Sequence, residues 1–218
     1  MTPKLALLEE YALIARALGA PHRMMLLEQL AQGERGVEVL AAKTGVTVAN
    51  GSQHLQQLRR AGLVTSRRAG KSVIYRLTDD KVLILMDLLG RIARRNLSVV
   101  EEILQGLTGE TAAEPITRAD LAARIAEGSV TVLDIRPQDE FALGHIPGAM
   151  QVDLARLDVM AAALKSAPQI VAYCRGPYCV YAHQAVAHLR QLGLDAVRME
   201  GGLPEWRAEG RQVAVDLA

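Results

Sequence analysis

Two cysteines, Cys174 and Cys179, lie five residues apart in one short segment of this chain. They are the only thiols among its 218 residues. A secreted disulfide framework would spread its cysteines along the sequence. A close pair in a reducing compartment instead predicts redox, metal or nucleophilic chemistry. This pair is therefore the first candidate for a reactive site.

The residues around Cys174 favour its thiolate form. A buried strand is expected to end at Tyr173 and a helix to begin near Cys179, so the loop between them curls and turns backbone N–H groups inward. These donors and the helix N-terminus would stabilise a thiolate on Cys174. A thiolate attacks sulfane sulfur and becomes a persulfide, which the same donors stabilise. The predicted backbone donors belong to Gly176, Tyr178 and Val180.

Cys179 gives a modified Cys174 a reaction partner. Attack of Cys179 on a Cys174 persulfide gives a disulfide, and an extra sulfur between them gives a trisulfide. Direct bridging needs Cα atoms within about 7 Å, which residues five apart on a curled loop can meet. The alternative is that Cys179 is a small buried loop filler. Arg175 is predicted to hold an anionic donor such as thiosulfate.

Charge is unevenly distributed along the chain, although the net charge is only +1. Residues 1–106 hold 15 Lys/Arg against 10 Asp/Glu, and residues 107–218 hold 10 against 14. The half-chain charges of +5 and −4 make the first half a candidate nucleic-acid binder. The alternative is a solvated basic face. One stretch without acids contains Arg59, Arg60, Arg67, Arg68, Lys71 and Arg76.

The elements of the first half can be predicted from apolar periodicity and from Gly, Pro and Thr positions. A helix-turn-helix unit is followed by two β-prone runs around a Gly-containing turn, which predict a hairpin or wing. One long helix over 80–107 carries an apolar stripe that is typical of a dimer seam. The helices before the wing are predicted over 5–18, 21–31, 37–44 and from Thr47 to Ala61.

The second half alternates strands with helices, which predicts a small parallel sheet. Buried strands are expected at 130–135, at 170–173 and around 196–199. The predicted fold class is thus two domains, an N-terminal mainly-α winged helix-turn-helix and a C-terminal α/β domain. Their predicted bounds are 1–106 and 117–218, joined by a linker over 107–116.

The first half resembles the ArsR/SmtB family of winged-helix repressors. The resemblance rests on residues 17–23, Ser52-Gln53-His54-Leu55, residues 58–64 and residues 73–77. It implies a homodimer, formed through the first and last helices, that binds double-stranded operator DNA. Asn and Gln can make bidentate contacts to adenine, and wing cations can contact phosphate. The predicted DNA-binding residues are Thr47, Asn50, Ser52, Gln53 and Gln56 on the recognition helix, and Arg67, Arg68 and Lys71 on the wing.

This half departs from the family in two ways. Polar residues are usual where Val48 and Ala49 stand, and Gly51 replaces an aliphatic residue, so the operator sequence does not follow. Many members sense metals through cysteines on the helix before the recognition helix. Here residues 37–41 carry no thiol and the last helix no histidine. We therefore expect no metal site, and the signal must be sensed elsewhere.

The second half resembles the rhodanese family over about residues 115–214. The matching segments are 130–149 and Glu200-Gly201-Gly202-Leu203-Pro204-Glu205-Trp206. The resemblance makes Cys174 the nucleophile. Two departures are Pro177, which removes an N–H donor, and Cys179, where a polar residue usually closes the loop. Four residues are expected to fix loops without doing chemistry: Asp134, Arg136, His145 and Trp206.

Together these features predict a DNA-binding regulator, expected to be a repressor, that senses sulfane sulfur or persulfide at the Cys174–Cys179 loop. Two alternatives stay open: a sulfurtransferase tethered to DNA, with weak turnover of thiosulfate or persulfide, and a dithiol sensor of arsenite or oxidants. The expected ligands are small sulfur species such as polysulfide, thiosulfate and persulfide, without a cofactor. No signal peptide and no apolar run of 18 residues is found, which predicts a cytoplasmic protein without membrane contact.

Overall fold

The computed structural model describes residues 2–108, 114–165, 167–176 and 179–215. Contacts divide the chain into two compact units, residues 1–82 and residues 83–218. The middle of the predicted linker, residues 109–113, lies outside the described residues. The domain bounds proposed above therefore stay a prediction, although residues 83–108 group with the second unit.

Helices dominate the first unit, as predicted. Thr47 caps the recognition helix, because its Oγ1 accepts a hydrogen bond from the Asn50 backbone N–H at 3.2 Å. The preceding helix ends at Gly45, whose φ of 69° is left-handed and suits glycine. These two helices form the helix-turn-helix. The four helices in the described part of this unit are α1 (Pro3–Leu18), α2 (Pro21–Ala31), α3 (Val37–Thr44) and α4 (Val48–Arg60).

The predicted wing is a hairpin of β2 (Val64–Ala69) and β3 (Ser72–Leu77). Ala69 pairs with Ser72 in antiparallel register, so a two-residue turn at residues 70–71 joins the strands. A third strand, β1 (Arg35–Gly36), pairs with the other edge of β3. Strand β1 was not predicted from the sequence, because two residues are too few to show a periodicity.

The core of the first unit lies between the helices and the wing. Its fully buried side chains include Leu26, Leu27, Leu40, Leu55 and Leu58. Gly51 lies where α4 crosses α3: an added Cβ would lie 3.4 Å from Ala41 Cβ and 3.5 Å from Val46 Cγ2. The unusual glycine of the recognition helix thus occupies a close helix–helix contact, at a propensity cost of about 1 kcal/mol relative to alanine.

The single helix predicted over 80–107 is wrong, because two helices occupy this region. They are α5 (Lys81–Asn96) and α6 (Ser98–Thr108), and Leu97 separates them. The Asn96 side chain donates from Nδ2 to the carbonyl oxygen of Ile92 at 2.8 Å. Asn and Ser compete with the backbone for hydrogen bonds in this way, and they favour helix ends. The sequence prediction followed the continuous apolar stripe and did not treat Asn96 and Ser98 as helix ends.

The second unit contains a four-stranded parallel sheet in the order β5-β4-β6-β7. The strands are β4 (Val130–Asp134), β5 (Met150–Gln151), β6 (Gln169–Tyr173) and β7 (Ala196–Arg198). The remaining described elements are α7 (Arg118–Glu127), α8 (Gln138–Phe141), a 3₁₀ turn (Leu154–Arg156), α9 (Leu157–Leu164), α10 (Val180–Gln191) and α11 (Leu203–Ala208). The predicted fold class is confirmed.

Alternate residues of the central strands pack on opposite faces of the sheet. Leu133, Ile170 and Ala172 lie in one buried cluster, whereas Val132 and Val171 lie in the other. Because both faces are covered, the strands are nearly continuous in apolar residues, as parallel strands usually are. The sheet therefore holds the carboxyl ends of β4 and β6 rigidly. No helix in the described part of the chain is long and apolar enough to cross a membrane.

Candidate functional site

The two cysteines flank the loop after β6, as predicted. Cys174 directly follows Tyr173 and is buried, and Cys179 is the N-cap residue of α10. Their Sγ atoms are joined in a disulfide, and their Cα atoms are 6.2 Å apart. This separation lies within the usual range for a disulfide. The loop can therefore hold the two sulfur atoms in direct contact.

The predicted backbone donors of this loop are only partly described. Pro177 and Tyr178 lie outside the described residues. The Cys179 N–H donates to the Gly176 carbonyl oxygen at 3.2 Å. Val180 is the first residue of α10. The predicted inward donation by Gly176, Tyr178 and Val180 stays a prediction.

The segment after β7 packs directly on the cysteine loop. The Leu203 N–H donates to the Cys174 carbonyl oxygen at 3.2 Å. A Cβ added to Gly202 would lie 2.5 Å from that oxygen and 2.6 Å from the Arg175 carbonyl carbon, too close for any side chain. Only glycine lets the two backbones approach this closely. Gly202 thus fixes the position of the loop that carries Cys174.

Glu205, which was not predicted as a site residue, binds the backbone of Gly202 in this segment. Its Oε2 accepts a hydrogen bond from the Gly202 N–H at 2.7 Å at the start of α11, which is the half of a capping box that needs no N-cap side chain. Burial raises the pKa of the Glu205 carboxyl above its ordinary value. A glutamate three residues after a helix cap is a recognisable signal. The spacing from Gly202 to Glu205 could have revealed it.

Arg175 is paired with a buried carboxylate. Its Nε and Nη2 each donate to a carboxylate oxygen of Glu140, both at 2.8 Å. These two parallel hydrogen bonds neutralise much of the guanidinium charge and fix the orientation of the Arg175 side chain. Donation of these hydrogen bonds to Glu140 raises the pKa of Arg175 above its ordinary value. An anionic sulfur donor would therefore have to compete with Glu140 for the Arg175 guanidinium.

A buried polar network supports the sheet end that carries Cys174. Arg136 Nη2 donates to Asp134 Oδ2 at 2.6 Å and to the Gly144 carbonyl oxygen at 2.7 Å. The Tyr173 hydroxyl donates to Asp134 Oδ2 at 2.5 Å and accepts from the Ile146 N–H at 3.0 Å. Burial, followed by the Asp134 charge, raises the pKa of Tyr173. These bonds tie the loops after β4 to the end of β6.

The other two residues predicted to fix loops, His145 and Trp206, each place a ring nitrogen against a backbone carbonyl oxygen. His145 stacks on Phe141 with ring centroids 3.8 Å apart, and its Nδ1 lies 3.1 Å from the Phe141 carbonyl oxygen. Trp206 donates from Nε1 to the Gln212 carbonyl oxygen at 2.9 Å. Their structural role is supported, and so is that of Asp134 and Arg136.

The predicted DNA-binding residues lie on α4 and on the wing. Thr47 uses its hydroxyl oxygen to cap α4. The Ser52 side chain is half-buried, whereas the remaining predicted side chains are exposed. The exposed positions are Asn50, Gln53 and Gln56 on α4, and Arg67, Arg68 and Lys71 on the wing.

One wing cation is already engaged. The Arg67 guanidinium pairs with the Glu34 carboxylate, and this hydrogen bond lowers the pKa of Glu34. Both side chains are exposed, and exposed ion pairs contribute only about 0–1 kcal/mol. Little free energy is therefore needed to release Arg67 from Glu34.

His54 lies on the inner side of α4. Its ring stacks on His22 with centroids 5.9 Å apart, and burial is the main cause that lowers its pKa. These contacts give His54 a packing role within the winged-helix unit. Among the residues that the structure describes, no group of three or more His, Cys, Asp or Glu side chains is arranged to hold a metal ion.

The fold and the site define a class of protein that joins a DNA-binding winged helix to a rhodanese-like domain. Comparison with known families agrees with this class. The helix-turn-helix domain model matches residues 18–67, and the rhodanese-like domain model matches residues 117–209.

Comparison with individual proteins extends the match to nearly the whole chain. The HTH-type transcriptional regulator Rv0324 of Mycobacterium tuberculosis is 40% identical over 210 residues, which cover 96% of this chain and 92% of that protein. The homodimeric winged helix-turn-helix domain of Mb0332 from Mycobacterium bovis is 38% identical, covering 44% of this chain and 90% of that one, with a TM-score of 0.42. A rhodanese-related protein of Thermoplasma volcanium is 30% identical, covering 48% of this chain and 100% of that one, with a TM-score of 0.43.

The chain belongs to the ArsR/SmtB-type winged-helix transcriptional regulators that carry a C-terminal rhodanese-like domain. It is a DNA-binding regulator. Both resemblances predicted from the sequence are confirmed.

Proposed function

We propose that this regulator senses sulfane sulfur at Cys174 and Cys179, and that their reaction changes its affinity for operator DNA. The observation that carries the proposal is the placement of the two thiols. Their Cα atoms are 6.2 Å apart in the loop of the rhodanese-like domain, at the rigid end of β6. The described helices of the winged-helix unit contain no cysteine.

The proposed chemistry needs two steps. The Cys174 thiolate attacks the sulfane sulfur of a polysulfide or persulfide, and the rest of the donor leaves as a shorter polysulfide or hydrosulfide in the first case and as a thiolate in the second. The Cys179 thiolate then attacks Cys174 Sγ, forms the disulfide and expels the outer sulfur as hydrosulfide. The two cysteines are oxidised, and the sulfane sulfur is reduced to sulfide. The product is the disulfide geometry that this loop accommodates.

Steady sulfurtransferase turnover is the alternative function. Thiosulfate turnover benefits from a cation beside the nucleophile, but Glu140 binds the Arg175 guanidinium through two hydrogen bonds. Cys179 also competes with any external acceptor for the persulfide. We therefore expect stoichiometric modification of the loop and slow thiosulfate:cyanide turnover.

We also propose that the functional unit is a homodimer. Three apolar side chains of α1 are about half exposed in the single chain: Leu5, Leu8 and Tyr11. A second exposed apolar row follows α5 at Ile84, Leu88 and Ile92. Faces this apolar are typical of protein–protein contacts. Sedimentation of the DNA-free protein tests this, and a monomer at micromolar concentration would refute it.

The sensor proposal is tested by DNA binding after defined chemical treatment. Reduced protein first selects its duplex from a random pool. Mobility shifts with that duplex are then measured after polysulfide, peroxide or arsenite, with mass spectrometry of the peptide that contains both cysteines. We expect polysulfide to change the affinity most, with a mass that corresponds to the disulfide or trisulfide.

Two variants separate the steps of this reaction. Cys174→Ser removes the nucleophile, so polysulfide should no longer change DNA binding. Cys179→Ser should stop at the persulfide, which shows whether the bridge is needed for the response. An unchanged polysulfide response in Cys174→Ser contradicts the proposal. A stronger response to arsenite or peroxide than to polysulfide favours the other dithiol sensor.

A further inference from the structure

A second candidate site lies in the unit formed by residues 83–218. A cavity of about 170 Å³ opens between one helix and the edge of the rhodanese-like domain. Neither cysteine lines it, nor does Arg175. Its charged lining residues are Asp87, Arg91 and Arg94 from α5, together with Arg118, Arg198 and Glu200.

The lining carries more positive than negative charge. Four arginines face two carboxylates, which leaves a formal charge of +2 around the cavity. The Arg94 charge lowers the pKa of Arg198, second to the effect of burial. Burial, Arg198 and Arg94 together lower the pKa of the neighbouring His183 to about 4. The charges of Arg94 and Arg198 thus add to the effect of burial, in the direction expected beside a lining with excess positive charge.

Three of the arginines are held in position by the protein. Arg118 donates from Nε to Glu209 Oε1 at 2.6 Å and from Nη1 to the Glu200 carbonyl oxygen at 3.0 Å. Arg91 donates from Nε to Asp87 Oδ2 at 2.8 Å. Arg198 donates from Nη1 to the carbonyl oxygen of residue 199 at 3.0 Å. Side chains that are already ordered lose less conformational entropy when a ligand binds.

We propose that this arginine-lined cavity binds one small oxyanion with two negative charges, of the sulfate or phosphate class. Guanidinium groups present paired N–H donors that match the oxygen atoms of such anions. Because one water takes about 30 Å³ in the liquid, the cavity has room for a tetrahedral oxyanion. The proposal goes beyond the sulfur sensor, since it needs no reaction at either cysteine.

The position of the cavity gives such an anion two neighbours. On one side it contacts α5 through Arg91 and Arg94. On the other it contacts Glu200 and Gly201, which immediately precede the glycine that packs on the Cys174 loop. A bound anion would therefore lie between the arginines of α5 and the segment that packs on the cysteine loop.

Isothermal titration of the full-length reduced protein with sulfate, and separately with phosphate, tests the proposal at constant ionic strength. Neither anion carries sulfane sulfur, so the result does not depend on whether the sensor proposal holds. Arg94→Gln removes one lining charge, and Arg95→Gln is the matched control on the same helix outside the cavity. Both positions are exposed, so neither change should disturb folding.

We expect saturable binding of one anion per chain. Arg94→Gln should weaken it at least about tenfold, because a hydrogen bond to a charged group is lost, and Arg95→Gln should weaken it less than about twofold. Bound sulfate should also raise the pKa of His183 in an NMR titration. Absence of saturable binding, or equal weakening by both variants, overturns the proposal.

Discussion

Replacing Gly202 with alanine should displace the loop that carries Cys174. The backbone of Gly202 is extended, with φ of −150° and ψ of −165°, so alanine can adopt this conformation. The obstacle is space, because the new Cβ would lie 2.5 Å from the Cys174 carbonyl oxygen and 2.6 Å from the Arg175 carbonyl carbon. Ordinary contacts of this kind are about 3.5 Å long. The backbone must therefore move by about 1 Å.

The expected loss of stability follows from three contributions. Overpacking a rigid site costs about 1–3 kcal/mol. The hydrogen bond from the Leu203 N–H to the Cys174 carbonyl oxygen contributes about 1 kcal/mol and should be lost. Replacing glycine reduces the entropy of the unfolded chain and restores about 0.4–1 kcal/mol. The net destabilisation of the rhodanese-like domain should be about 2 kcal/mol.

Urea unfolding of the reduced protein measures this change. Trp206 is the only tryptophan of the chain, and it is buried in the rhodanese-like domain, so its fluorescence reports on that domain. The displaced loop should also expose Cys174 to faster alkylation by iodoacetamide.

Gly176→Ala is the matched control for this substitution. It adds the same methyl group on the opposite side of this contact, in the cysteine loop, but its Cβ would meet nothing closer than Glu205 Oε1 at 3.9 Å. We expect a change in stability within about 0.5 kcal/mol for this control. If Gly202→Ala is as stable as the wild type and Cys174 is alkylated at the same rate, the close-approach reasoning is refuted.

Two further predictions concern charged groups of the same domain. Glu140→Gln should destabilise it by about 2–3 kcal/mol, because the half-buried Arg175 loses its counter-charge; an unchanged urea midpoint would contradict this. Lowering the pH from 7 to 5 should lower the free energy of unfolding of this domain through His183. The pKa of His183 is about 4 in the fold and 6.5 in the unfolded chain, so at pH 5 the unfolded chain takes up a proton that the folded protein does not. Solvent screening at this half-buried position reduces the loss to about 1 kcal/mol, and His183→Gln, measured by urea unfolding at both pH values, should lack it.

Local signals predicted much of the fold. Three helix ends lie where local residues predict them: Pro21 begins α2, Gly45 ends α3 and Thr47 caps α4. Capping and backbone preferences depend on neighbouring residues alone, so they can be recognised in the sequence. The wing hairpin and three of the four parallel strands were likewise predicted. The break at Leu97 was missed because one apolar stripe continued through two helices. The two-residue strands were too short to show a pattern.

The position of the two cysteines between a strand and a helix was also predicted from the sequence. Spacing alone indicated that Cys174 and Cys179 can be bridged, because both lie on one short loop. The partners of that loop depend on residues far away in sequence. Glu140 reaches Arg175 across 35 positions, and the approach of Gly202 to residues 174–176 requires two separate loops to meet.

Tertiary structure alone brought the arginines of the cavity together. Arg94 and Arg198 are about a hundred residues apart, and each by itself is an ordinary surface cation in the sequence. Their shared effect on the pKa of His183 arises only where α5 and the end of β7 converge. The sequence determined that two thiols share one short loop, because they are only five residues apart. The fold decided which charges surround it, because electrostatic interactions depend on distance through space.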